Sequence, residues 1–149
     1  MWLASFRRFF VGALLTGLFC GAAWAEKPPA AVSPGDAKAV QRVIQSQLNA
    51  FAADDEKRAF SFAAPGIRTQ FGSAETFMAM VRQSYPMVYR PTNVVFQKPV
   101  FMGAELIQPV VFADADGDEW VATYRMQRQK NKSWRINGCV VAPSAGRAA

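Results

Sequence analysis

The acidic stretch Asp114-Ala115-Asp116-Gly117-Asp118-Glu119-Trp120 sets carboxylates at alternate positions around a glycine. That is the oxygen-rich spacing a hard cation such as calcium uses. The helix-loop-helix calcium template needs acids at positions 1, 3 and 5, Gly at 6 and a bidentate Glu at 12. Counted from Asp114, position 6 is Glu119 and position 12 is Arg125. Counted from Phe112, position 1 has no side-chain oxygen and position 12 is Thr123. Both registers fail, and Asp116-Gly117 between two alternating apolar runs predicts a hairpin turn instead. A second acidic group, Asp54-Asp55-Glu56, stands where a helix begins and reads as a cap that compensates the helix dipole.

The other chemistry-bearing residues are aromatic and basic. In "QSYPMVYRP", Tyr85 and Tyr89 are four apart around Pro86, and Arg90 precedes Pro91. The prolines hold these side chains at low entropic cost. Their plainer role is core packing with hydroxyls at the rim. The sharper expectation is a pocket lined by Tyr85, Tyr89, Trp120, Tyr124 and Trp134, with Arg68 or Arg90 binding an anionic or polar group. Arg125, Arg128, Lys130, Lys132 and Arg135 crowd one hairpin end. They read as a solvated turn, with anionic lipid headgroups or cell-wall polymer as the alternative partner. The chain has no histidine and two cysteines, Cys20 and Cys139. The usual general base and Cys/His zinc sites are therefore absent, and neither a metal nor a cofactor is called for. Chemistry here would fall to carboxylates, tyrosines or one thiol.

The amino terminus bears on where such chemistry would happen. Arg7 and Arg8 precede an uncharged apolar run over residues 9–22, and Ala23-Trp24-Ala25 offers small-x-small cleavage chemistry. This predicts a signal peptide over residues 1–25, cleaved after Ala25, and a periplasmic or secreted product. The apolar run is shorter than the ~20 residues of a spanning helix. Arg7-Arg8 loosely resembles a twin-arginine signal, which is the alternative export route. Cleavage removes two of the 17 Lys and Arg, so 15 face 11 acids, a net charge of +4. The excess is mild and spread out, which argues against a nucleic-acid partner. Cys139 is then alone, either a buried hydrophobe or a thiol that links two chains.

These residues must be positioned by a modest set of elements. Residues 26–35 read as a flexible leader, residues 36–142 as a single α+β domain and residues 143–149 as a disordered tail. Ser33 and Pro34 open a helix whose stripe is Val40, Val43, Ile44, Leu48 and Phe51. A short second helix follows Asp54 or Asp55 and stops at Pro65-Gly66. A turn, "IRTQFG", turns Ile67 and Phe71 inward. Ser73 caps a third helix that ends at Pro86. Beyond Pro91 the period becomes two, in four runs separated by Met102-Gly103, Asp116-Gly117 and Lys130-Asn131-Lys132. Trp120, Ala122, Tyr124 and Met126, with Trp134, Ile136 and Val140, are expected on one sheet face. Val121, Thr123, Arg125, Arg135, Asn137, Cys139 and Val141 are expected on the other, a half-apolar surface that either water or a second copy in a homodimer covers. The fold class is N-terminal helices on one face of a curved antiparallel four-stranded sheet.

The blocks "VIQSQLNAFAADDEKRAFSFAAPGIRTQFGSAETFMAMV", "YPMVYRP" and "KSWRINGCVV" resemble the uncharacterised bacterial family named domain of unknown function 4864. Three helices followed by strands ending in "SWRING" resemble, more broadly, the cone of nuclear transport factor 2, cystatin-like proteins and ketosteroid isomerase. The family resemblance implies a fold and export rather than an activity. The functional expectation is an exported non-catalytic domain that binds a small ligand or a protein partner. The alternatives are a cone-fold enzyme, isomerase- or hydratase-like, using a Tyr-carboxylate pair, and a membrane-surface or cell-wall interaction protein.

Overall fold

A computed structural model describes residues 30–145. The signal peptide expected over residues 1–25 lies outside the described residues. Ser33 caps α1 (Pro34–Ala52), its Oγ accepting the Asp36 N–H at 3.0 Å, and Pro34 fills the first turn. The stripe Val40, Ile44, Leu48 and Phe51 is buried against the sheet. Asp55 caps α2 (Glu56–Ser61) by accepting the Arg58 N–H at 3.0 Å, and Ser73 caps α4 (Ala74–Ser84). Pro65 corrects one expectation: it does not stop a helix but opens one, α3 (Pro65–Phe71), where a turn was expected. Pro86 follows the end of α4, as expected, and also opens the single-turn α5 (Pro86–Tyr89). A first-turn proline lacks only an N–H that has no intrahelical partner there.

Five strands follow: β1 (Thr92–Phe96), β2 (Val100–Met102), β3 (Glu105–Ala113), β4 (Glu119–Arg128) and β5 (Trp134–Pro143). All pair antiparallel, in the order β1-β3-β4-β5, with β2 also on β3. The helices cover one face of this curved, unclosed sheet, giving the expected α+β layers. The first run, expected as one strand, is broken at residues 97–99, where Pro99 has no N–H to donate. The buried amide of Gln108 fills the break, its Nε2 donating to the carbonyls of Gln97 (2.6 Å) and Pro109 (2.8 Å). Among the described residues no helix is long and apolar enough to cross a membrane.

The core is the inner sheet face, with Leu106, Val110, Phe112, Ala122, Tyr124, Met126, Trp134 and Ile136 buried under α1, α2 and α4. One expectation about this face is overturned. The β4–β5 register passes from Met126↔Ile136 to Arg125↔Gly138, so β5 carries one extra residue, a β-bulge at Asn137. One added residue moves every later side chain to the opposite face. Cys139 and Val141 therefore oppose Tyr124 and Ala122 on the inner face, and Val140 points outward, 66% exposed. Asn137 is held on the outer face by donating from Nδ2 to Glu105 Oε1 at 2.6 Å. Glu105 also pairs with Arg125 through Nε (2.9 Å) and Nη2 (3.2 Å), so three adjacent strands are tied at the bulge.

Candidate ligand-binding cavity

The bulge places Gly138 and Cys139 at a cavity of about 420 Å³ between the helices and the inner face. Small-molecule sites occupy ~300–1,000 Å³ and are mostly apolar with a few polar groups. Phe51 of α1, Ala63, Ile67 and Phe71 of α3, Phe77, Met80 and Val81 of α4, Val88 of α5 and Ile136 form its apolar wall. Phe60, Phe71 and Phe51 cluster around Phe77 with ring centroids 5.4, 5.6 and 6.1 Å away, which fixes that wall. Gln47, Gln70, Ser84, Tyr85, Tyr124 and Cys139 supply its polar atoms, and among the described residues no charged residue lines it. Gln47 is tied back through Nε2 to the Ala59 carbonyl at 3.1 Å.

Tyr124 is the most telling of these groups. Its residue is 2% exposed and its hydroxyl is buried without a hydrogen-bond partner among the described residues. Such an orphan costs about 1–3 kcal/mol. Burial, and then the neighbouring Cys139 thiol, raise the hydroxyl well above the ordinary tyrosine value. Burial pushes the Cys139 thiol up to about 12, partly offset by the Tyr124 hydroxyl beside it. The two are polar neighbours but do not meet in hydrogen-bond geometry. Cys139 reaches solvent only in part. Both groups are neutral donors at ordinary pH.

Of the expected pocket residues, only Tyr85 and Tyr124 line this cavity. The others are drawn to charged or aromatic partners elsewhere. Trp120 donates from Nε1 to Asp114 Oδ2 at 2.8 Å, at the hairpin tip. Trp134 donates from Nε1 to Asp36 Oδ1 at 3.3 Å, at the start of α1, with the Arg128 guanidinium 5.4 Å from its ring centroid. Tyr89 lies under Arg82 and Arg90, 5.5 and 5.2 Å from its centroid, and both arginines reach Asp54 at 3.1 Å. Arg68 lies 5.6 Å from the Phe60 centroid. Buried indoles and exposed arginines each need a partner with complementary polarity. Acids at the ends of the elements supply it for Trp120, Trp134, Arg82 and Arg90, and the Phe60 ring supplies it for Arg68.

Those acids are accordingly occupied with structure. Asp114 Oδ1 accepts the N–H groups of Asp116 and Asp118 at 3.0 Å, and the Trp120 indole first, then the turn's N–H groups, hold its carboxyl below the ordinary value. Among the described residues no cluster of three metal-ligating side chains exists. Among the described residues no acid lines the cavity, so a Tyr-carboxylate pair is not assembled there from them. Sequence reasoning missed Cys139, and Gly138 inside an alternating run was the available signal, because a glycine there often marks a bulge.

The family model described as domain of unknown function (DUF4864) matches residues 34–149. The chain belongs to this family. No curated protein and no solved structure matches it. The matched span of the DUF4864 domain runs from the first residue of α1 through all of β5 and contains every residue that lines the cavity.

Proposed function

We propose that this DUF4864 chain is an exported, non-catalytic domain that binds a small, neutral, mostly apolar molecule in the cavity. The cavity would correspond to the interior of a cone like that of nuclear transport factor 2 and cystatin-like proteins. The observation that carries the reading is the unpartnered Tyr124 hydroxyl at the wall of an apolar cavity with no lining charge. A ligand carbonyl or ether oxygen would satisfy that donor, whereas an ionised ligand would lose its hydration with no counter-charge in return. Titration calorimetry with ketones and with carboxylates of the same carbon skeleton tests this. Ketones bind the protein, carboxylates bind at least tenfold more weakly, and Tyr124→Phe costs the ketones about tenfold, the value of one hydrogen bond. Equal binding of the two series rejects the reading.

Export rests on the basic, apolar and small-x-small segments of residues 1–25. Amino-terminal sequencing of the protein recovered from its native compartment should begin at Glu26. A second reading, a homodimer through the outer sheet face, is favoured by Val95, Val100, Met102 and Val140, which are 49–68% exposed. Sedimentation equilibrium decides it, and a Val140→Lys variant would shift any dimer toward monomer.

A further inference from the structure

β5 is the edge of the sheet, and its outer side is used only at its start. The Ile136 N–H donates to the Phe62 carbonyl at 2.9 Å, and its carbonyl accepts the Ala64 N–H at 2.8 Å. Ile136 therefore points its main-chain groups away from β4. Antiparallel pairs alternate between bonded and non-bonded positions. Carried past the bulge, this alternation makes Gly138, Val140 and Ala142 the residues bonded to β4, and the Ser144 N–H bond to the Glu119 carbonyl at 2.8 Å confirms the phase. Cys139 and Val141 thus direct both N–H and C=O to the outer side. Among the described residues no strand pairs there and no hydrogen bond reaches those groups. Pro143, without an N–H, ends the row.

This open edge borders the cavity. Residues opposite each other in an antiparallel pair share a sheet face. A residue paired with Cys139 would therefore project to the inner face, where Cys139, Ile67 and Phe71 line the cavity. We propose that the free β5 edge at Cys139–Val141 binds an extended peptide of a partner protein, which adds an antiparallel strand and seats one apolar side chain at the cavity mouth. Main-chain pairing would supply affinity and the mouth would supply specificity, as in other strand-addition complexes. The bordering elements complement a charged partner as well. α3 and β5 carry Arg68 and Arg135 and no acidic residue, so acidic flanks suit the peptide.

The test selects a phage-displayed library of random nine-residue peptides against the purified protein. The expected winners share one fixed apolar position with acidic flanks, and their affinity falls with salt. Binding slows amide hydrogen exchange at Cys139 and Val141 at least tenfold. Val141→Pro removes one outward N–H while sparing the ladder to β4, and should weaken the peptide at least tenfold while leaving ketone binding in the cavity intact. N-methylation of the peptide amide that faces the Cys139 carbonyl gives the same loss on the unaltered protein, which decides the matter even where Val141→Pro fails to fold. The proposal is overturned by a library that yields no binder, or by binders that leave both amides unprotected. Protection that grows with protein concentration alone also overturns it, since a second copy would then hold the edge.

Discussion

At the scale of single residues, the pair Tyr124 and Cys139 separates stability from binding. The Tyr124 hydroxyl is buried and unpartnered, so Tyr124→Phe should stabilise the ligand-free protein by about 1 kcal/mol. For a domain of this size that is a rise of about 4 °C in Tm, readable by calorimetry. The same change should weaken ketone binding. A hydroxyl retained only for packing would not show this opposition. Cys139, its thiol pushed by burial up to about 12, holds far less thiolate than a free thiol at pH 8. Iodoacetamide should label the native protein at least about tenfold slower than the urea-unfolded chain. Fast native labelling would mean that the thiol is not enclosed as described.

At the scale of elements, the decisive device is the junction of Glu105 on β3, Arg125 on β4 and Asn137 on β5. Arg125 first, then Asn137, hold the Glu105 carboxyl below its ordinary value. A depressed carboxyl stabilises the fold above its unfolded pKa, and that contribution is lost as pH falls through the depressed value. Arg125 is half exposed, so solvent screening keeps the contribution of the ion pair small. Glu105→Gln should therefore lower stability slightly at pH 7, and the gap to the unaltered protein should close in acid, below the usual carboxylate range. Urea unfolding at a series of pH values reads this directly. A gap that persists there would assign the effect to packing instead.

At the scale of the whole molecule, the helices and the antiparallel sheet were legible because their signals are local. Ser33, Asp55 and Ser73 are caps with the right residue types, and Asp116-Gly117 is a turn with the right glycine, at φ +84°. The cavity was not legible, because it depends on how elements meet. The pooled aromatics gave the correct inner face for Tyr124 and Trp134, but the partners that pull Trp134 to Asp36 and Trp120 to Asp114 lie far off in sequence or at turns. Cys139 was misplaced by a single unpaired residue. Segment 62–64 bridges to β5 at the cavity, and Ala63 there is 2% exposed and lines it. Ala63→Leu should fill part of the space and reduce ketone affinity more than tenfold. Its thermal midpoint should change little, because the added methyl groups enter existing volume.

The extra residue in β5 also makes the bulge removable without touching the cavity wall. Asn137 is the unpaired residue, so loss of its codon, three bases and no substitution, would return β5 to strict alternation with Gly138 still opposite Arg125 and Cys139 still opposite Tyr124. Val140 would stay outward, and what would go is the kink and the Asn137 bond to Glu105. A chain lacking Asn137 should therefore keep its Cys139 as slow to iodoacetamide as the unaltered protein, and fast labelling would show that the strand had re-registered instead.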